Sequence, residues 1–229
     1  MLPDIRTPLP GPKSRALAAR LRSVEARNVT FLPEDDSFPI FWESGDGCVI
    51  TDVDGNRLLD MTSAFGVSAL GHGTTAATAA ISNQASRLLH GMGDVHPSLA
   101  KLELCEQLSQ LSGLADAKVL LGTSGGDAVE AAIKTAILRT GKHRIVAFIG
   151  GYHGLNLGAL NATARADFRM PFQRHLADFV THLPYGDPVH TLPPDTAAVL
   201  VEVIQGRGGV QEISTEWLIN LRSLCDATG

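Results

Sequence analysis

The chemistry this chain could carry is concentrated in a few short stretches, and the first is VLLGTSGGDAVEAAIKTA, Val119 to Ala136. An apolar run stops at Gly122, a Thr-Ser-Gly-Gly turn follows, and helix-forming sequence begins. The backbone N–H groups of Ser124, Gly125 and Gly126 could cup an anion there. A helix N-terminus is positive and its first N–H groups have no intrahelical partner. The same residues match G-x-S-x-G, which would make Ser124 a hydrolase nucleophile served by Asp178 and by His182 or His190. A P-loop is excluded, because no Lys follows the glycines. A small-residue turn without a ligand is the third possibility, and the turn alone does not decide among these.

Other reactive residues lie further along. FIGGYHGLNLGAL sets Tyr152 and His153 just after an apolar run. VEVIQGRGGV sets Glu202 at the end of another, where α/β proteins build sites, with Gln205 on the same loop. Glu130 lies on the helix after the cup, either facing a site or as a solvated charge. His90, Asp94 and His96 in HGMGDVH have no recognised zinc spacing, so no metal is expected.

Positioning these groups requires a regular frame. RIVAFI, FVTHL and AAVLVEVI read as strands, with AKVLL before the cup as another. They are continuous apolar runs, which suits a buried, mostly parallel sheet with helices on both faces, a three-layer α/β/α architecture. GDAVEAAIKTAILRT and STEWLINLRSLCDA read as helices, the latter started by Ser214. Upstream, a Pro-rich arm precedes a helix over Ser14 to Arg27 with Leu17, Leu21 and Val24 on one side. CVITDVDGNRLLDMT reads as a hairpin turning at Asp54-Gly55. A helix runs from Pro97 to Leu111, with Ser98 on the wrong side for an N-cap. The expected organisation is an N-terminal arm, helix and hairpin over 1–72, then a larger domain over 73–229.

Bulk properties exclude several classes. Of the 229 residues 44% are hydrophobic and 19% charged, with a net charge of −5 and no basic stripe, so nucleic acid is not an expected partner. No apolar run approaches the ~20 residues that span a bilayer, and the N-terminus has no secretory h-region, so neither membrane nor export is expected. Three scattered cysteines suit free thiols in a reducing cytoplasm.

GTSGGDAVEAAIKTA closely resembles the SGAEAVEAAIK segment of class III aminotransferases, fold type I enzymes that use pyridoxal 5′-phosphate (PLP). The YHG element, the QGRGG element and the DVDG…LGH run, Asp52 to His72, resemble further family elements in the family's order, covering about residues 38 to 229. The resemblance implies a PLP phosphate at Ser124, Gly125 and Gly126, and the pyridine ring stacked on Tyr152, with His153 beside it. It also implies active-site roles for Glu202, Gln205 and Glu130, and a substrate entrance shaped by Trp42, Phe65 and Gly66. The implied activity transfers an amino group between an amine or amino acid and a keto acid or aldehyde, in a homodimer. An aminomutase of the glutamate-1-semialdehyde type lies within the same resemblance.

Two implied groups are not found in this chain: the Schiff-base Lys and the Asp that holds the pyridine nitrogen. The family pattern puts both beyond Gly229. The expectation is therefore a chain inactive by itself, with exposed apolar surface and an open sheet edge, or a non-catalytic fragment that docks on a longer partner. The sequence also departs from the family pattern: Gly126-Asp127 replace Ala-Glu, Val203 replaces Pro, and Arg207 stands where many relatives have Glu.

Overall fold

The computed structural model describes residues 3–229 except 28, 34, 36 and 38, and its packing separates two compact units, Met1–Lys101 and Leu102–Gly229. This division falls after Lys101; the sequence pattern suggested one after residue 72.

In the first unit, α1 (Pro12–Val24) precedes three antiparallel strands, β1 (Trp42–Asp46), β2 (Val49–Asp52) and β3 (Arg57–Leu59), in the order β1-β2-β3. The turn between β2 and β3 is the expected one, with Gly55 at φ +86°. Its side chains organise the arm. Asp54 accepts the N–H groups of Lys13 and Ser14 at 2.8 and 2.9 Å, capping α1, whose own N-cap position is Gly11. Asn56 accepts from Arg6 and Thr7 and donates to Asp52 at 2.7 Å. Asp4 bridges to Arg57, so the arm extends the sheet at β3. The buried face of α1 carries Ser14 and Ala18, whereas Val24 is exposed, because the helix meets the hairpin turn at its N-terminal end. Helix α2 (Thr75–Arg87) follows, and α3 (Leu99–Leu111), whose residues from Leu102 on belong to the second unit, begins after Ser98. Ser98 Oγ accepts the N–H of Lys101 at 3.3 Å, so it does act as the N-terminal acceptor that its position beside Pro97 argued against.

The second unit is built on α4 (Gly125–Thr140), β4 (Arg144–Phe148), α5 (Leu157–Ala162), α6 (Ala166–Arg169), β5 (Val180–Leu183), β6 (Thr196–Val199), the short ribbon β7 (Ile204–Gln205) and β8 (Gln211–Glu212), and α7 (Thr215–Thr228). Strands β5-β4-β6 form a parallel sheet with β4 central. Ile145, Val146, Ala147 and Phe148 are almost wholly buried, as expected for a strand covered on both faces. Trp217 and Leu221 of α7 pack with Phe148, while α4 lies against β6 and α5 against β4. Ser214 caps α7 by accepting from Trp217 N, and Gly141 at φ +68° closes α4. Lys142 Nζ donates to the carbonyls of Thr228 and Gly229 at 2.8 and 2.9 Å, at the negative end of α7.

Ala117–Leu121, expected as a strand, joins no β-ladder among the described residues; Ser109 Oγ donates to Ala117 O at 2.8 Å, and Leu120 and Leu121 are exposed. An apolar run becomes a strand only where a neighbour takes its N–H and C=O groups. Strand β6 stops at Val199, short of the expected AAVLVEVI, although Leu200 N still donates to Val146 O at 2.7 Å. The fold class itself is as expected: an α/β protein with a parallel sheet between helical layers.

Candidate functional site

Ser124 is the N-cap of α4, in extended conformation at φ −157° and ψ 165°. Its hydroxyl accepts the N–H of Asp127 at 3.1 Å, and the Asp127 carboxylate reaches back to Thr123 N at 3.0 Å. This reciprocal capping leaves the N–H groups of Gly125 and Gly126 without an intrahelical acceptor. A Cβ on Gly125 would have no atom within 4 Å, so the helix end there is open. Ser124 is neither strained nor bonded to a histidine, and the nearest structural role of its hydroxyl is the cap. A nucleophile elbow needs a sharp, strained turn and a base, and this site shows neither.

The YHG loop closes over this helix end. Gly154, at φ +125°, packs so closely that a Cβ there would lie 2.6 Å from Gly126 Cα. Asn156, on the same loop, meets Gly126 from the side. The contact requires glycine at 154, whereas a Cβ at Gly126 would meet chiefly the Asn156 Oδ1 at 2.9 Å, and it carries Tyr152 and His153 to the start of α4.

Three carboxylate and amide side chains hold the loop. Glu202 Oε2 accepts the N–H of Tyr152 at 2.9 Å. Glu130 Oε1 accepts the N–H of Ala159 at 3.0 Å in the first turns of α5, so it is no solvated helix charge. Gln205 is buried and donates to the carbonyl of Ile149 at 2.9 Å, against Gly150 at φ +86°. Its amide therefore ties two loops together and is not turned toward open space.

His153 donates its backbone N–H to Thr163 Oγ1 at 2.9 Å, and that hydroxyl donates to Gly154 O at 3.0 Å. Burial, with His182 nearby, holds the His153 ring well below the ordinary histidine range, at about 4. Burial also lowers His182, whose Nε2 lies 3.1 Å from Ala162 O. His182 is thus engaged away from Ser124.

The Tyr152 ring makes an edge contact with Phe168, centroids 5.9 Å apart, and the Arg207 guanidinium carbon sits 4.5 Å from its centroid. Thr163, Asn156 and Phe168 belong to this neighbourhood but were not singled out as site residues: Asn156 stands within the FIGGYHGLNLGAL stretch without a motif role, and Thr163 and Phe168 lie in no motif. The mixed pattern after YHG carries no signal for which side chain returns to the loop. Trp42, Phe65 and Gly66, expected near a substrate entrance, lie in the first unit. There Ser63, Ala64 and Phe65 all have φ between +49° and +58°, a left-handed turn that costs energy at non-glycine residues. The Asp60 carboxylate accepts from Ala64 N at 2.9 Å and meets His72 Nε2 at 2.8 Å, and the hydrogen bond from His72 draws it down to about 2.

The family description Aminotransferase class-III matches residues 30–229, and the chain belongs to that family. The acetylornithine aminotransferase of Methanopyrus kandleri is 36% identical over 195 residues, covering 84% of this chain and 50% of the relative. That of Corynebacterium efficiens is 37% identical over 203 residues, covering 83% and 50%. Among solved structures, the ornithine aminotransferase of Toxoplasma gondii matches with a TM-score of 0.82 at 23% identity, over 94% of this chain and 51% of its own. The taurine:2-oxoglutarate aminotransferase of Bifidobacterium kashiwanohense, solved in complex with PLP and glutamate, matches at 0.80 and 25% identity, over 94% and 54%. The fold is accordingly that of the fold type I PLP-dependent transferases, in part. The chain spans about half the length of the curated relatives it matches.

Proposed function

We propose that this chain supplies the phosphate- and ring-binding part of a PLP-dependent aminotransferase acting between an amine or amino acid and a keto acid or aldehyde. The observation that carries the reading is the Gly126–Gly154 contact, which sets an open helix N-terminus beside the Tyr152 loop in a class III chain. The residues fit the cofactor: Gly125 leaves the helix end open to an anion, and Ser124, Gly125 and Gly126 would hold the phosphate through N–H donors. Tyr152 would lie against the pyridine ring, with neutral His153 behind it. Glu202, Glu130 and Gln205 keep the two loops at a fixed separation. PLP, when bound, supplies the electron sink for amino-group transfer.

Turnover also needs a lysine at the ring and a carboxylate at its nitrogen. Lys142 is engaged at the end of α7, and Lys134 stands about 12 Å along α4 from Gly126 at ~1.5 Å per residue. We therefore read the isolated chain as a binder of PLP without turnover. A homodimeric, cytoplasmic full-length protein is part of the same proposal. Its support is three unpaired cysteines and the helices α2 and α3, which bury no residue and expose Ile81 and Leu111. No helix among the described residues is long and apolar enough to cross a membrane.

The test is PLP uptake by equilibrium dialysis, followed by borohydride reduction. Weak uptake displaced by inorganic phosphate, with no label retained on the chain, is the expected result. Uptake indifferent to phosphate sinks the reading of the cup, and retained label sinks the claim that no lysine here reaches the ring.

A further inference from the structure

Tyr152 and Phe168 carry two guanidinium groups between them, and the two are in different chemical states. Arg165 lies 4.9 Å from the Phe168 centroid, and its fork is closed by Asp167, Nε to Oδ1 at 3.1 Å and Nη2 to Oδ2 at 2.7 Å. Arg207 lies 4.5 Å from the Tyr152 centroid and 5.8 Å from that of Phe168, is exposed, and has no hydrogen bond or ion pair among the described residues. Attraction to a ring holds the cation in place without using its N–H donors. Arg207 is thus a pre-positioned guanidinium whose donors remain available. A planar fork of this kind matches a carboxylate, which it can hold through two parallel hydrogen bonds.

Its placement makes that useful. The loop that bears Arg207 is tied to the end of β4 by Gln205 and Ile149, and the backbone N–H of Tyr152, whose ring it contacts, is tied to Glu202. Gly208 beside it packs on Gln205 and the carbonyl of Gly150, which anchors the segment, while Gly206 would meet nothing within 4 Å on gaining a Cβ and leaves that side open. We propose that Arg207 binds a carboxylate of the substrate at the Tyr152 ring, selecting an acidic amino acid or keto acid over a simple amine. The inference rests on the functional reading above, and it assigns a role to a residue that stands where many relatives have Glu.

The experiment uses glutarate, a dicarboxylate that cannot react, as the probe. Binding to the chain is measured by equilibrium dialysis, with and without PLP, for the wild type and for Arg207→Gln, Arg207→Lys and Arg165→Gln. Arg207→Gln should weaken glutarate about tenfold or more, the scale of a lost charge-assisted pair. Arg207→Lys should restore part of it, by charge without the fork. Arg165→Gln, whose fork is already closed, should leave binding nearly unchanged. Thermal unfolding of each variant checks that the fold is retained. The proposal is overturned if wild type takes up no glutarate, if Arg207→Gln binds it equally well, or if Arg165→Gln loses as much. It is also overturned if Arg207→Gln tightens PLP without altering glutarate, since Arg207 would then merely cover the ring. Failure of wild type to take up PLP bears on the functional reading alone; glutarate binding that depends on Arg207 still supports the assignment.

Discussion

The carboxylate of Glu202 and the backbone nitrogen of Tyr152 are 2.9 Å apart, joining the segment after β6 to the loop after β4. The bond sets how far the aromatic ring stands from the sheet. Replacing Glu202 by Ala leaves that N–H without its acceptor and should cost about 1–3 kcal/mol. Glu202→Gln, which keeps an acceptor oxygen, should cost less. Thermal unfolding of the two variants checks the order, and PLP dialysis should show Ala weaker than Gln.

The Gly126–Gly154 approach predicts that two glycine substitutions behave in opposite ways. Gly154→Ala meets the Gly126 backbone and a φ of +125°, so it should destabilise by upwards of about 1 kcal/mol. Gly125→Ala meets no atom in a helical position and should stabilise by roughly 0.5 kcal/mol. Yet it narrows the mouth of the cup, so inorganic phosphate should bind it less well. Urea midpoints paired with phosphate dialysis separate the effects; a Gly125→Ala chain with full phosphate affinity would remove the open helix end from the argument.

Ser124 caps α4, and Ser124→Ala should lose about 1 kcal/mol. A fluorophosphonate should leave Ser124 unmodified in the wild type, because no base is aligned with it. Mass spectrometry of the treated chain reads this directly.

His153 gives a pH dependence of definite sign. Its ring is held at about 4 in the folded chain, against roughly 6.5 when unfolded. Above pH ~6.5 neither state binds the proton. Between about 6.5 and 4 only the unfolded state does, so stability falls as the pH falls through that window. His182, lowered by the same burial, adds in the same direction. Urea unfolding from pH 8 to 4 should show the slope, and His153→Gln should flatten part of it. Asp60, drawn down to about 2, contributes stability that is present above roughly pH 4 and lost only on further acidification, so the two effects separate on the pH axis.

Much of the frame was legible because it follows from neighbours in sequence. The Asp54-Gly55 turn, the cap at Ser214, and the apolar runs of β4 and β5 all appear where their local chemistry put them. The partners of the site residues were not legible. Gln205 and Glu130 are drawn into bonds with Ile149 and Ala159, residues far away in the chain, and Thr163 enters through a loop with no motif.

By itself the sequence determined the class of fold, the Asp54-Gly55 turn, the cap of α7, and the stretches from which a site would be assembled. These depend on backbone preferences and apolar period, which act over a few residues. The tertiary structure decided what could be decided only by assembly. It withheld a ladder partner from Ala117–Leu121, turned Gln205 inward, and set Arg207 over Tyr152 with its fork open. Each outcome depends on what stands opposite a residue in space, and no spacing along the chain encodes that.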